Sequence, residues 1–361
     1  MEDQTVTILA SGVALGVYIP ALILEYQLKK RKVNTDVAVI ENLISEEKKA
    51  KILDNKKAFH DNFRLALKGR KMTKDMSSTL DESLVAELFG LWEQSGRRRF
   101  IIFSGYWVPL LEMYREKSGF PIEVDVLNID ADICQSLSHF TDICSNYGQI
   151  WLWNWNERRL CYEIPVTDQK PIEYERRKDR FVVHGGGWGM GTYKSKLSEL
   201  DRAGCKLDIV AYFPEEVEAG TEHRYYMIDP AWNPWMKNGN GCHEFPPMAE
   251  IRAGEKTIYK NKECCHELFD TIREAKAIIS KPGGGTLLDS LASATPIITL
   301  DPFGEAEDKN AKIWEHLGFG ISYENWKTSG FSMDILERLH RNLMNRSSTI
   351  DYPDVVMKRD A

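Results

Sequence analysis

Ala277-Ile278-Ile279-Ser280-Lys281-Pro282-Gly283-Gly284-Gly285-Thr286-Leu287-Leu288-Asp289 is the stretch on which the reading of the chain turns. An apolar run leads into three glycines, and a helix-compatible segment starts at Thr286, so the pattern predicts a strand, a tight glycine loop and a helix N-terminus. Glycines let the backbone approach a ligand without Cβ atoms in the way. The unpaired N–H groups and the positive dipole end of the helix face whatever sits there, which makes the loop a candidate phosphate cradle. Asp289 lies about one helical turn beyond Thr286, within reach of a ribose hydroxyl pair. The competing reading is a plain left-handed turn, since short glycine motifs are weak by themselves.

Two further strand, glycine-loop and helix units strengthen the first reading. Residues 6–10 are a β-rich apolar run, residues 11–16 a small-residue loop containing Gly12 and Gly16, and residues 17–31 an amphipathic helix. Phe181-Val182-Val183 opens into His184-Gly185-Gly186-Gly187-Trp188-Gly189-Met190-Gly191, with a helix expected over 193–203. Other strands are expected at 35–40, 100–103, 121–128, 150–153, 207–212, 225–228 and 296–300. Helices are expected within 45–95, interrupted by a polar surface loop over 68–79, and over 263–274, 307–317 and 333–343. Strands alternating with helices require crossovers and parallel sheets covered on both faces.

The fold class predicted is α/β, with two Rossmann-like domains whose parallel sheets face each other across a cleft. Residues 1–170 form the first domain and 171–180 a linker with Arg176-Arg177-Lys178 exposed. Residues 181–330 form the second domain, and 331–361 a C-terminal helix and tail that crosses back to the first. Ligands of such sheets sit at the carboxyl ends of the strands. That rule puts residues 11–16, Glu41, Ser104 and Asp130 along one rim.

At 361 residues, with 43% hydrophobic and 28% charged content, the chain can build two sizeable cores. A net charge of −7 argues against nucleic acid as the main partner, and Arg97-Arg98-Arg99 reads as a solvated lead into the next strand. Seven cysteines lack C-x-x-C spacing, which suits a reducing cytosol better than a disulfide framework. Cys242-His243 with Cys264-Cys265-His266 are adjacent residues, which seldom converge on one ion. Residues 5–24 carry no charge and are long enough to span a bilayer. Acidic Glu2 and Asp3 precede them and Ser11-Gly12 and Gly16 interrupt them, so strand, turn and helix fit better than a membrane span.

Over residues 277–320 the chain resembles the nucleotide-sugar glycosyltransferases of the two-domain GT-B fold. The branch it is most similar to includes the lipid-intermediate N-acetylglucosaminyltransferase of peptidoglycan synthesis. The resemblance is carried by Gly283-Gly284-Gly285-Thr286, Asp289, Thr295-Pro296, Glu305-Ala306-Glu307, Asn310-Ala311 and Leu317-Gly318 in register, with the loops at Gly12 to Gly16 and around Gly187 in support. It implies a UDP- or TDP-sugar as substrate and no separate cofactor; Asp130-Ala131-Asp132 has Asp-x-Asp spacing but lies in the half expected to bind the acceptor, so no metal is expected. The acceptor would be a small-molecule or lipid-like compound bound by the first half. It also implies a cytoplasmic protein able to touch a membrane peripherally, although no strongly basic amphipathic helix is present.

By the same resemblance, Gly283, Gly284, Gly285 and Thr286 receive the donor diphosphate and Asp289 the ribose, and Gly12, Gly16 and Gly187 of the other two glycine loops also belong to the donor site. Glu305, Glu307 and Asn310 belong to the sugar loop, and Phe245 and Met248 to the nucleobase loop. Glu307 stands where many relatives carry Gln, and Ala306 replaces an Asp.

The departure is Val17, at a position where many inverting relatives place a His that removes the acceptor proton. Three readings stay open. Asp130, with Asp132 or Glu41 behind it, supplies the base; or the acceptor is acidic enough to need none; or a nucleotide sugar is bound without transfer. A nucleotide-sugar epimerase on the same fold is a further alternative. His184 before Gly185 suggests a base but reads more simply as a polar strand-end residue. Trp151, Trp153 and Trp155 alternate onto one side of a strand, where core or interdomain packing outweighs a sugar platform.

Overall fold

The computed structural model describes residues 5–359 except 14, 72–78 and 253. The first sheet contains β1 (Val6–Ala10), β2 (Thr35–Val39), β3 (Arg99–Ile102), β4 (Glu123–Asn128) and β5 (Gly148–Trp151), in the order β2-β1-β3-β4-β5. All its pairs are parallel. Side chains alternate across the sheet. Val6, Ile8, Ala10 and Ile101 therefore join one core, and Leu9, Phe100 and Ile102 the other. Helix α1 (Leu15–Lys30) covers the first face. On the second lie α4 (Glu82–Gln94) and α5 (Val108–Ser118), which contribute Phe89, Trp92 and Tyr114. Asp81 caps α4 by accepting from the Ser83 and Leu84 N–H groups, which satisfies donors the helix itself leaves open. Helices α2 (Glu46–Asp61) and α3 (Phe63–Lys71) stand at the rim, and α6 (Thr141–Cys144) precedes β5.

Short strands β6 (Trp153–Asn154) and β7 (Arg159–Leu160) form a hairpin, followed by β8 (Tyr162–Glu163). The second sheet comprises β9 (Phe181–His184), β10 (Leu207–Ala211), β11 (Arg224–Ile228), β12 (Met248–Ile251), β13 (Ala277–Ser280), β14 (Ile297–Thr299) and β15 (Gly320–Ser322). Its order is β12-β11-β10-β9-β13-β14-β15. All pairs are parallel except β11 with β12, an antiparallel edge. Its helices are α7 (Lys194–Arg202), α8 (Leu268–Glu274), α9 (Gly284–Ser293), α10 (Glu305–Leu317), α11 (Tyr323–Thr328) and α12 (Met333–Met344).

The chain then returns to the first sheet. β16 (Ile350–Asp351) pairs with β8, and α13 (Tyr352–Lys358) is tied to the first half by Tyr352, which donates to Asp125 Oδ2 at 2.7 Å. Arg31 adds ion pairs to Asp351 and Asp354. One apolar core runs through both halves, from Ile8 and Leu22 to Leu287, Leu291 and Trp314.

Several sequence expectations are corrected. Arg99 is inside β3 and buried rather than solvated. Helix α3 continues through Lys71, so the start of the expected 68–79 loop is helical, and 72–78 lie outside the described residues. The three tryptophans do not share one strand: β5 ends at Trp151, and Trp153 opens the hairpin. Trp153 is fully buried against Trp314 of the second half, ring centroids 5.0 Å apart. The linker is not a solvated tether, because Tyr174 and Arg177 within it are buried. Among the described residues no helix is long and apolar enough to cross a membrane.

Candidate active site

Helix α9 organises the cleft. It starts at Gly284, two residues before the expected Thr286, because Gly283 takes extended backbone angles (φ −73°, ψ 150°) as its N-cap. Gly283 has no side chain to cap this end and no acidic residue lies in its first turn; the Asp130 carboxylate of the first half meets the Gly284 N–H, and the N–H groups of Gly285 and Thr286, with the positive dipole end, are left to the cleft.

The opposite end is closed by a cation. Arg177 Nη1 donates to Ala275 O at 3.0 Å and to Thr295 Oγ1 at 2.6 Å. Its Nη2 donates to Ser293 O and Ala294 O at 2.6 and 3.3 Å. Burial lowers the guanidinium pKa to about 10, still cationic at neutral pH. A positive charge on the C-terminal carbonyls complements the helix dipole, which is why this arginine is inside while its neighbours in the basic run are outside.

The loops pack closely at two points: a Cβ at Gly187 would lie 2.5 Å from the Leu15 Cβ and one at Gly12 2.6 Å from the Pro234 Cβ, whereas one at Gly285 would make ordinary contact with the Gly16 Cα, at 3.6 Å. Between the loops opens a cavity of about 380 Å³, within the range that small-molecule sites occupy. Ser11, Gly16, Val17, Ser104 and Asp130 line it from the first half. His184, Gly187, Met248, His266, Lys281, Gly283, Gly284, Gly285, Thr286, Asp289 and Glu307 line it from the second.

Asp130, at the end of β4, reaches across the cleft to the N-terminus of α9, where its Oδ1 accepts from Asn310 Nδ2 at 2.7 Å. Burial raises its carboxyl pKa to about 6, with Glu307 adding to the rise. Asn310, Lys281 and the Gly284 N–H oppose it. Asp289 accepts from His266 Nε2 at 2.9 Å, and both remain at the cavity wall. Lys281 pairs with Glu307 Oε1, while Glu307 Oε2 accepts the Phe303 N–H at 2.7 Å. The two reserve carboxylates are committed elsewhere. Glu41 is fully buried and accepts from Ser11 Oγ, Gly12 N and Val13 N, so it holds the first loop, and Asp132 pairs with Lys309.

Four residues expected at the donor site stand outside the cavity lining. Asn310 is wholly buried. Its Nδ2 donates to Asp130 and to Pro282 O, and its Oδ1 accepts from Ala131 N and Trp153 Nε1. It therefore locks the two halves together and has no group left for a ligand. Glu305 is exposed at the start of α10, because two residues along a helix turn the side chain about 200° away from Glu307. Phe245 is buried in the shared core, and Gly12 lies behind the wall against Pro234.

Lys281 and His266 also line the cavity, beyond the residues the sequence pattern marks out. Lys281 carried a usable signal, a cation inside the glycine motif. Nothing in the sequence ties His266 to Asp289, 23 residues away. At the mouth, His60 of α2 sets its Nδ1 against Gly189 O at 3.0 Å, Phe59 stacks on Trp188, and Phe63 approaches Phe303. Glu216 binds both His60 and Lys194 and stays low, at about 2, despite its burial. Among the described residues no group of three or more His, Cys, Asp or Glu is placed to hold a metal ion.

Against solved structures, the chain superimposes over 99% of its length on 99% of MurG from Acinetobacter baumannii, at TM-score 0.51 and 12% identity. It likewise matches the glycosyltransferase SsfS6 of Streptomyces sp. SF2575 bound to thymidine diphosphate (99% of each chain, TM-score 0.53, 13% identity). The glycosyltransferase SnogD of Streptomyces nogalater matches over 99% of this chain and 98% of its own, at TM-score 0.51 and 12% identity. No protein-family model and no curated protein sequence matches. The fold is therefore the GT-B arrangement of two Rossmann-like domains.

Proposed function

We propose that the protein is a glycosyltransferase that moves a sugar from a UDP- or TDP-sugar, held by residues 181–330, to an acceptor held by the first half. The observation that carries this is the glycine N-terminus of α9, which opens with Asp289 and Lys281 into a cavity between three glycine loops. The thymidine diphosphate bound to SsfS6 supports the same donor class. Chemistry would consist of stabilising the departing diphosphate on helix dipoles while closure of the mouth aligns the acceptor. Asp130 is the proposed base. Val17 offers no proton acceptor, whereas Asp130 lines the cavity with a carboxyl whose pKa, about 6, suits proton removal at neutral pH. No metal takes part in this scheme.

Incubation with UDP- and TDP-sugars, with and without an acceptor library, tests it. Release of UDP or TDP with transferred sugar is expected. A new nucleotide sugar formed without acceptor would establish epimerisation instead. Binding with no turnover on any acceptor would leave a nucleotide-sugar-binding protein.

A further inference from the structure

We infer that His184 donates a hydrogen bond from its neutral Nε2–H to the diphosphate of the donor, opposite the N-terminus of α9. This rests on the proposal that the cleft takes a nucleoside-diphosphate sugar.

His184 ends β9 and is 7% exposed. Its Nδ1 accepts the Gly186 N–H at 3.1 Å, which leaves the lone pair on Nδ1 and fixes the proton on Nε2. That Nε2 is buried with no hydrogen-bond partner among the described residues, on a side chain that lines the cavity. A buried donor left open is costly, and a diphosphate oxygen placed against it would satisfy it.

A cation and helix N–H groups stand beside this imidazole, the cation being Lys281 in its pair with Glu307. Lys281 threads between the two glycine loops: a Cβ at Gly186 would meet its Cε at 3.0 Å, and one at Gly283 its Nζ at 3.4 Å. Gly284, Gly285 and Thr286 face the same space. Burial, with Lys281 and His266 nearby, pushes the imidazole pKa down to about 3. The ring is neutral wherever the protein works, so it serves as a hydrogen-bond donor and not as the proton acceptor that its place before Gly185 first suggests.

Two near-isosteric variants separate this role from a structural one. His184→Asn keeps an acceptor where Nδ1 meets Gly186 but has nothing at Nε2, whereas His184→Gln carries an amide N–H to the Nε2 position and loses the loop contact. Calorimetric titration of the full chain with UDP, TDP, uridine and thymidine reads the difference. His184→Asn should weaken nucleoside-diphosphate binding by about ten- to a hundredfold, as expected for a lost bond to a charged group. Its nucleoside affinity should change less than threefold, and His184→Gln should recover most of the loss. Diphosphate affinity retained in His184→Asn but lost in His184→Gln would mean that the residue only holds the loop, and would overturn the inference while leaving the donor proposal intact. A native chain that binds neither UDP nor TDP would overturn both.

Discussion

Asp130 and Arg177 show how far single residues can be read ahead of the fold. Asp130 was legible because a carboxylate at a parallel-strand end belongs on the ligand rim. Its contact with Asn310, 180 positions away, was not. A folded-state pKa near 6 lies above the usual carboxylate value, so this group's contribution to stability is present below pH 4 and is lost as pH rises through 6. Thermal melts should therefore show Asp130→Asn gaining on the native chain between pH 4 and 6 and levelling off above, by at most about 3 kcal/mol. Turnover of the same variant should fall by about 10²- to 10⁴-fold with donor affinity retained; full turnover would remove Asp130 as the base. A basic run looks solvated in isolation, and apart from Ile172 O the acceptors of Arg177, at 275 and 293–295, are remote in sequence. Arg177→Met should cost about 3–5 kcal/mol by leaving buried carbonyls unsatisfied, and a loss under 1 kcal/mol in denaturant melts would contradict its role at the end of α9.

Among the elements, the strand, loop and helix units were readable from glycine spacing and apolar runs, and the start of α9 was misplaced by only two residues. What glycine spacing could not reveal is which glycines touch across the cleft. Gly16 has no atom within 4 Å of a built Cβ, whereas the Cβ of Gly187 would collide with Leu15. In equilibrium unfolding, Gly16→Ala should leave stability unchanged or raise it by about 0.5–1 kcal/mol as a helical alanine. Gly187→Ala should lower it by about 1–3 kcal/mol through overpacking between the halves. Equal behaviour of the two would mean that the loops do not nest as described. The antiparallel edge β12 escaped the alternation argument because a short strand after an irregular loop has no helix before it to signal its direction.

Across the whole molecule, strand and helix alternation was enough to expect two Rossmann-like domains, but it could not show that they share one core. Trp153, Trp314 and Asn310 fuse the halves beneath the cavity, and the C-terminal helix bonds back to the first sheet. Interfaces this apolar resist wide opening. Both halves should therefore unfold in a single transition by calorimetry, and Trp153→Ala should cost about 3–5 kcal/mol; two separated transitions would contradict a shared core.

Every step proposed for the cleft requires it to bind a nucleoside diphosphate on α9. Calorimetric titration of the native chain and of Asp289→Ala with UDP and TDP measures that binding. The native chain should bind one of them and melt several degrees higher at a hundredfold excess over Kd, a stabilisation of about 2.7 kcal/mol, with affinity reduced in the variant. Absence of binding by the native chain to either nucleotide at millimolar concentration would contradict it.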